Sequence, residues 1–360
     1  MRLISLDVLR GLTVAGMILV NSAAGMKYSA EANVAPILLH VSWAGLTLAD
    51  LVFPAFLTMV GLAIPFSMQN RAPGNGQSGH ALARAGRIVL LGFILSNLYW
   101  FADFGERDWR LFGVLQRIGL VYGACALLFL FVGPRVRLAL IAVMLIAYWP
   151  LTLAPALDGL SNDIWQRGHN FVASVDRVLL GNHLYVKGPE GYDPEGILGT
   201  LAAIAHGLIG VAIGELLIRR EGQRTGLLAI AGTTMLAVGL AWSFAFPIVK
   251  DIWSSSFVLV TCGITVLTLA VLHHFLDREG RAPGFAATAM LAFGVNAIAA
   301  YTLHQVTAGV VTWDLLLVPF HASRATLGDP IASLFPVVLY MLLIWGAMEW
   351  LRRKRWIIKI

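Results

Sequence analysis

Ten apolar stretches, each close to the ~20 residues that an α-helix needs to cross a bilayer, leave this chain few folds to choose from. They fall at 4–24, 46–69, 86–101, 112–132, 136–154, 197–218, 226–246, 254–275, 285–303 and 331–351. Charged residues make up 13% of the 360, about half the share usual in soluble domains. They are too few to cover a globule of this size with ionised surface. A soluble enzyme and a disordered chain are excluded, and an all-α, polytopic membrane protein forming one domain over 1–360 is expected. A further apolar stretch, 305–320, is short and contains Pro319 near its end, so we read it as re-entrant or interfacial. The first stretch carries no small-residue cleavage site and reads as a span. Cys125 and Cys262 sit inside apolar runs and predict buried thiols, with no disulfide framework and no metal site.

The net charge of +6 would suggest nucleic acid in a soluble protein. Here it reads as basic cytoplasmic loops, and no nucleic acid is expected. With the N-terminus inside, 17 of the 26 basic residues fall on the inner side. Five of them (Arg352, Arg353, Lys354, Arg355 and Lys359) lie in the last nine residues. Both ends inside require an even number of crossings, which selects ten. Two polar segments then lie outside, 25–45 and 155–196, the second long enough to suggest function rather than mere connection. Residues 72–79, with Pro73, Gly74, Asn75, Gly76 and Gly79, read as a flexible inner loop.

Ionisable residues inside spans are costly and are functional candidates by default. Asp50 lies about four residues into the second span and Arg117 about five into the fourth, at similar depth. They could pair with each other, or each could be satisfied by other polar groups. Asp7 and Arg10, three apart, read as a helical neighbour pair. His40 precedes the second span, with Trp43 one turn away if the segment is helical. In that case Asp50 would lie about 15 Å along the axis from His40 and could not touch it. A histidine can act as a general base near neutral pH, and an amide such as Asn21, at the outer end of the first span, can donate to an oxyanion. This combination fits acyl transfer and fits a proton-coupled transporter nearly as well. Asp193 and Glu195 before the sixth span, and Lys250 with Trp253 before the eighth, suit a sugar, as helix capping would suit Asp193. Asn296 and His304 add polar groups in the ninth span. No Walker motif, no GxGxxG following a strand, no HExxH and no GxSxG is present.

The quoted residues resemble, block by block, the heparan-α-glucosaminide N-acetyltransferase family and its bacterial homologues. The opening Arg2-Leu3-Ile4-Ser5-Leu6-Asp7-Val8-Leu9-Arg10-Gly11 with Asn21 is similar to the start of that family's core. The His40-x-x-Trp43-x-Gly45 run through Asp50 and Pro54 is similar to its most distinctive block. Gly113 to Arg117, Tyr192 to Gly196, Phe246-Pro247 with Lys250 and Trp253, and Gly294 with Asn296 follow in order. The segment between Asn21 and His40, with Glu31, Asn33 and Pro36, departs from the family and points to an acceptor other than heparan sulphate.

The resemblance implies an acetyl-CoA-dependent acetyltransferase of the bacterial inner membrane, acting across the bilayer on an amino sugar, with no metal. His40 would be the catalytic histidine, with Asn21 and Asp50 completing the set. Arg10, Arg84 and Arg87, joined by Gln116 and Arg117, would bind the CoA moiety, since arginine forks suit phosphate oxygens. Trp43, Asp193, Glu195, Lys250, Trp253, Asn296 and His304 would meet the sugar. Expected partners are the acceptor, the lipid bilayer and, left open, a second copy of the chain. An amino-sugar permease and an O-acetyltransferase of an envelope glycan are the alternatives.

Overall fold

The computed structural model describes residues 3–68, 75–103, 108–219, 224–277, 283–310 and 314–358. Seven of the basic residues used for orientation (Arg2, Arg71, Arg107, Arg220, Arg278, Arg281 and Lys359), and Pro73 and Gly74 of the expected inner loop, lie outside them.

The described chain is built of helices: α1 (Ile4–Ser29), α2 (Leu48–Met68), α3 (Asn75–Ser96), α4 (Leu98–Ala102), α5 (Val114–Phe131), α6 (Pro134–Thr152), α7 (Phe171–Leu180), α8 (Gly199–Arg219), α9 (Arg224–Trp242), α10 (Ser255–Leu276), α11 (Phe285–Val295), α12 (Ala297–Val310), α13 (Asp314–Leu327), α14 (Asp329–Ala332) and α15 (Leu334–Arg353). Among the described residues nine helical segments, α14 and α15 counted as one, are long and apolar enough to span a membrane. A tenth span results if the bent pair formed by α11 and the Ala297–Ala308 part of α12 is one crossing. The protein is a multi-pass helical membrane protein. Helices dominate because a backbone in hydrocarbon must satisfy its own hydrogen bonds.

Three expectations are corrected. The third span begins earlier and stops at Ser96, because the Asn97 side chain takes the chain out of line. Its Nδ2 donates to the Phe93 carbonyl (2.8 Å) and the Arg110 carbonyl (2.9 Å). The ninth span is not straight: it bends by 75° at Asn296. The described residues of 305–320 are the end of α12 and the first half of α13. Residues 75–79 are the first turn of α3 rather than a loop.

The chain forms two compact units. The first holds Ser42–Gly45 and Phe53–Val271, and in it α5 packs against α3 and α8, and α6 against α8. Small residues let these backbones approach closely; a Cβ on Gly61 would overlap the Gly207 carbonyl. The long segment 155–196 is ordered. Asn170 caps α7 by accepting from Ala173 N (2.9 Å), and Arg177 donates to the carbonyls of Gly168 (2.9 Å) and Gly191 (3.0 Å).

The second unit holds Arg2–Val41, Leu46–Val52 and Leu272–Ile360. Here α1 lies against α11, where Gly11 faces the Met290 carbonyl and Gly294 faces the Asp7 carbonyl. A Cβ at either glycine would overlap backbone, which cannot rotate away. Gly294→Val is therefore expected to destabilise by at least the ~1–3 kcal/mol typical of overpacking, read as a lower melting midpoint in detergent. Gly346→Val, with open space around it, should be close to neutral. The segment before His40 is pinned by a small apolar core. Ala23 and Met26 of α1 pack with Ala32, Val34 and Leu38 around the fully buried Phe320.

Candidate active site

The second unit brings His40 and Asp50 into contact. Residues 41–47 are not helical, so Trp43 is not one helical turn away and the ten-residue separation does not become 15 Å. The chain folds back, and His40 Nδ1 lies 2.7 Å from Asp50 Oδ1. The cause is local. Thr47 is the residue before α2 and Asp50 the third residue in it, the positions of a capping box. Asp50 Oδ2 accepts from the Thr47 backbone N (3.1 Å) and from Val41 N (3.4 Å), and lies 2.8 Å from the Thr47 hydroxyl. That hydroxyl is also 2.8 Å from the Leu39 carbonyl and sends its single hydrogen to one of the two. Thr47-Leu48-Ala49-Asp50 was the sequence signal that could have ended the helix at Thr47 and freed His40 to turn back.

The geometry fixes the ring. Asp50 is 1% exposed and offers an acceptor to Nδ1, so Nδ1 carries the hydrogen and Nε2 holds the lone pair. The His40 side chain is 48% exposed, leaving that lone pair reachable. A base oriented by a buried carboxylate is the arrangement that nucleophilic and general-base chemistry uses.

Asn21 lies on α1 in the same unit. Gly16, five residues earlier, meets Val52 at the start of α2: a Cβ there would stand 3.6 Å from Val52 Cγ2. Asn21 and Asp50 are thus each within about two turns of one helix contact. Asn21 Nδ2 is 3.3 Å from His304 Nε2, and His304 Nδ1 is 2.9 Å from the Tyr340 hydroxyl. Thr307 Oγ1 lies 2.8 Å from the same hydroxyl and donates to the Leu303 carbonyl (2.6 Å). With hydrogens assigned along this chain, one N–H of Asn21 is held by His304 and the other has no partner among the described residues. Tyr340 and Thr307 carried no sequence signal, since they meet His304 only through folding.

Asp50 and Arg117 each find partners within their own unit. Arg117 is fully buried in the first unit, donates Nη2 to the Gly196 carbonyl (3.2 Å) and lies 5.0 Å from the Trp253 ring centre. Its Nε and Nη1, and the Trp253 indole N–H, have no hydrogen-bond partner among the described residues. Trp253 is itself buried, with φ 57°. Gln116, also buried, reaches Ser96 (3.3 Å). Arg84 is exposed and lies 4.9 Å from the Tyr122 ring centre, Arg87 is exposed, and Arg10 pairs with Asp7 (3.1 Å) in the second unit as expected.

The first unit also gathers the acidic residues before the sixth span. Arg110, held by the bond of its backbone N to Asn97 Oδ1 (2.7 Å), grips Asp193 through Nε (2.9 Å) and Nη2 (2.7 Å), and pairs with Glu195. Burial disfavours the Arg110 charge, but Glu195 and Asp193 outweigh it and raise its pKa. Burial raises Asp193, while Glu195 is held low by Arg110, Arg117 and Lys250 against its own burial. Asp193 does not cap α8, which starts at Gly199; it closes a turn through Glu195 N (2.9 Å). Tyr192 bridges Arg167 (2.6 Å) and Asp251 (2.6 Å). Trp43 is buried and its N–H is taken by the Ile164 carbonyl (2.9 Å), so it fastens the segment 155–196. Asn296, in the second unit, has both amide atoms on the backbone of residues 356–358 rather than open to a sugar. Arg110 was the main residue missed: only its sign was legible.

Asp176 of α7 is buried beside Gly196, accepts from Ile197 N (3.0 Å), and is pushed up to about 7 chiefly by burial. A carboxyl whose folded pKa is raised stabilises most below its unfolded value near 4, and loses that stabilisation as pH rises through about 7. The melting midpoint is expected to fall between pH 5 and 8 on this account by the equivalent of a few kcal/mol. Asp176→Asn, which keeps the acceptor, should flatten that dependence.

A helical multi-pass membrane protein with a carboxylate-oriented histidine at the end of its second span is the class that fold and site define. Residues 2–176 match the family model described as heparan-alpha-glucosaminide N-acetyltransferase, catalytic. It is 28% identical over 363 residues to heparan-alpha-glucosaminide N-acetyltransferase of Mus musculus, covering 85% of this chain and 53% of the relative. It is 27% identical over 401 residues to the protein of the same name from Homo sapiens, covering 95% and 58%. The chain thus spans little more than half the length of these relatives. His40, Asn21 and Asp50 all lie inside the matched region.

Proposed function

We propose that the chain is a transmembrane acetyltransferase that moves the acetyl group of cytosolic acetyl-CoA to the amine of glucosamine, or of a terminal glucosaminide, on the outer side of the bacterial inner membrane. The observation that carries this reading is the His40–Asp50 contact within the region matched to a catalytic model. His40 Nε2 takes a proton from the acceptor amine as its nitrogen attacks the thioester carbonyl. The free N–H of Asn21 donates to the oxygen that becomes negative. The C–S bond then breaks, and the departing CoA sulfur recovers the proton from His40. Both chain ends lie on the cytoplasmic side in this reading, where Arg10 would meet a CoA phosphate.

The test uses purified protein with acetyl-CoA and glucosamine. Equal amounts of free CoA and N-acetylglucosamine are expected. Glucosamine uptake into proteoliposomes without acetylated product would overturn the reading in favour of a permease. Rapid quench with labelled acetyl-CoA and no acceptor checks the order of steps: direct transfer leaves the protein unlabelled, whereas acetyl-histidine would make His40 the nucleophile.

A further inference from the structure

The segment that follows α15 is folded back on itself in a way the acetyl-transfer reading does not use. Arg355 adopts φ 58°, a left-handed conformation that closes many helices but suits glycine better than arginine. The turn is held by Trp356 N on the Leu351 carbonyl (2.9 Å) and by the Trp356 ring against Trp350, with centres 5.4 Å apart. Beyond it the backbone is clamped by the buried side chain of Asn296. Nδ2 donates to the Trp356 carbonyl (3.1 Å), and Oδ1 accepts from Ile358 N (3.0 Å). Asn296 stands at the 75° bend between α11 and α12, and α12 carries His304.

The outward face of this clamped segment mixes two chemistries. Trp350, Trp356, Ile357 and Ile358 are each about half exposed. Beside them stand Lys354 and Arg355, exposed and without an ion-pair partner among the described residues, whereas Arg352 and Arg353 are both engaged by Glu349. Soluble anions would account for the cations but not for four exposed apolar side chains at the end of a spanning helix. A bilayer interface accounts for both, since indole and aliphatic groups enter the headgroup region while Lys and Arg meet phosphates.

We infer that residues 350–358 form a binding surface for anionic phospholipid headgroups, and that lipid held there secures the bend at Asn296. The inference needs no part of the acetyl-transfer reading, because it concerns binding and stability alone. Each basic residue at an anionic surface contributes roughly a five-fold change in apparent affinity, so removing two should cost about 30-fold.

The experiment compares the 360-residue chain with its Lys354→Gln, Arg355→Gln double variant in nanodiscs of phosphatidylcholine, with and without phosphatidylglycerol. The melting midpoint is read in the absence of acetyl donor and acceptor. Phosphatidylglycerol is expected to raise the wild-type midpoint. In the double variant the mole fraction giving half of that rise should move up by about 30-fold, or the rise should disappear. An equal response in both proteins would overturn the inference. So would a midpoint rise produced by free CoA in phosphatidylcholine alone and lost in the double variant, since that would make the surface a soluble-phosphate site.

Discussion

His40→Ala is expected to lower the rate of acetyl transfer by about 10²–10⁴-fold, the contribution a positioned acid–base group typically makes. The expectation rests on what the substitution removes and what it leaves. It removes the reachable Nε2 lone pair, while His40 itself is half-exposed and packs in no core. The segment that presents it is held by Phe320, Leu38 and their neighbours, which the substitution does not touch. An unchanged melting midpoint with the rate reduced to this extent is the expected result, measured as CoA released per unit time. His40→Gln should be as slow, since an amide cannot shuttle the proton. Wild-type rates from either variant would remove His40 from the chemistry.

Asp50→Asn should be nearly as damaging, though the side chain changes by a single atom. The native Oδ2 position receives the backbone N–H groups of Thr47 and Val41. An amide placed there would turn its oxygen toward those donors, and its NH₂ would then face His40 Nδ1. The ring would answer with the other tautomer, carrying its hydrogen on Nε2 and losing the lone pair that accepts the proton. Where an orienting carboxylate of this kind has been replaced by its amide, kcat has fallen about 10⁴-fold with the geometry intact. We expect a loss of about 10²–10⁴-fold, with KM for glucosamine little changed, read from initial rates over a range of acceptor concentrations. A large rise in KM with an unchanged kcat would instead make Asp50 a binding residue.

The spans were legible because hydrocarbon imposes a length and an apolarity that few sequences can meet by chance. Their interruptions were less so. Asn97 and Asn296 each end a helix through side-chain bonds to distant backbone, and nothing in the apolar pattern marks such a bond. His40 and Asp50 stood out as polar residues at a span end, but their contact was hidden by reading 40–50 as one helix. The Thr47-x-x-Asp50 box was the local clue to the contrary. Asn21 and His304 are 283 residues apart, and no spacing rule reaches that far. Arg110 shows the same limit from the other side: its charge was visible, whereas its bond to Asp193 depends on a turn formed 83 residues later.

The capping box at the start of α2 gives one carboxylate two duties, since Asp50 closes the first turn of the helix and holds the His40 ring. Fraying of that turn, the least costly local opening a helix end undergoes, would therefore release the base while every spanning helix stays in place. Activity should be the first property lost on warming, and its loss should reverse on cooling if the bundle itself has not melted.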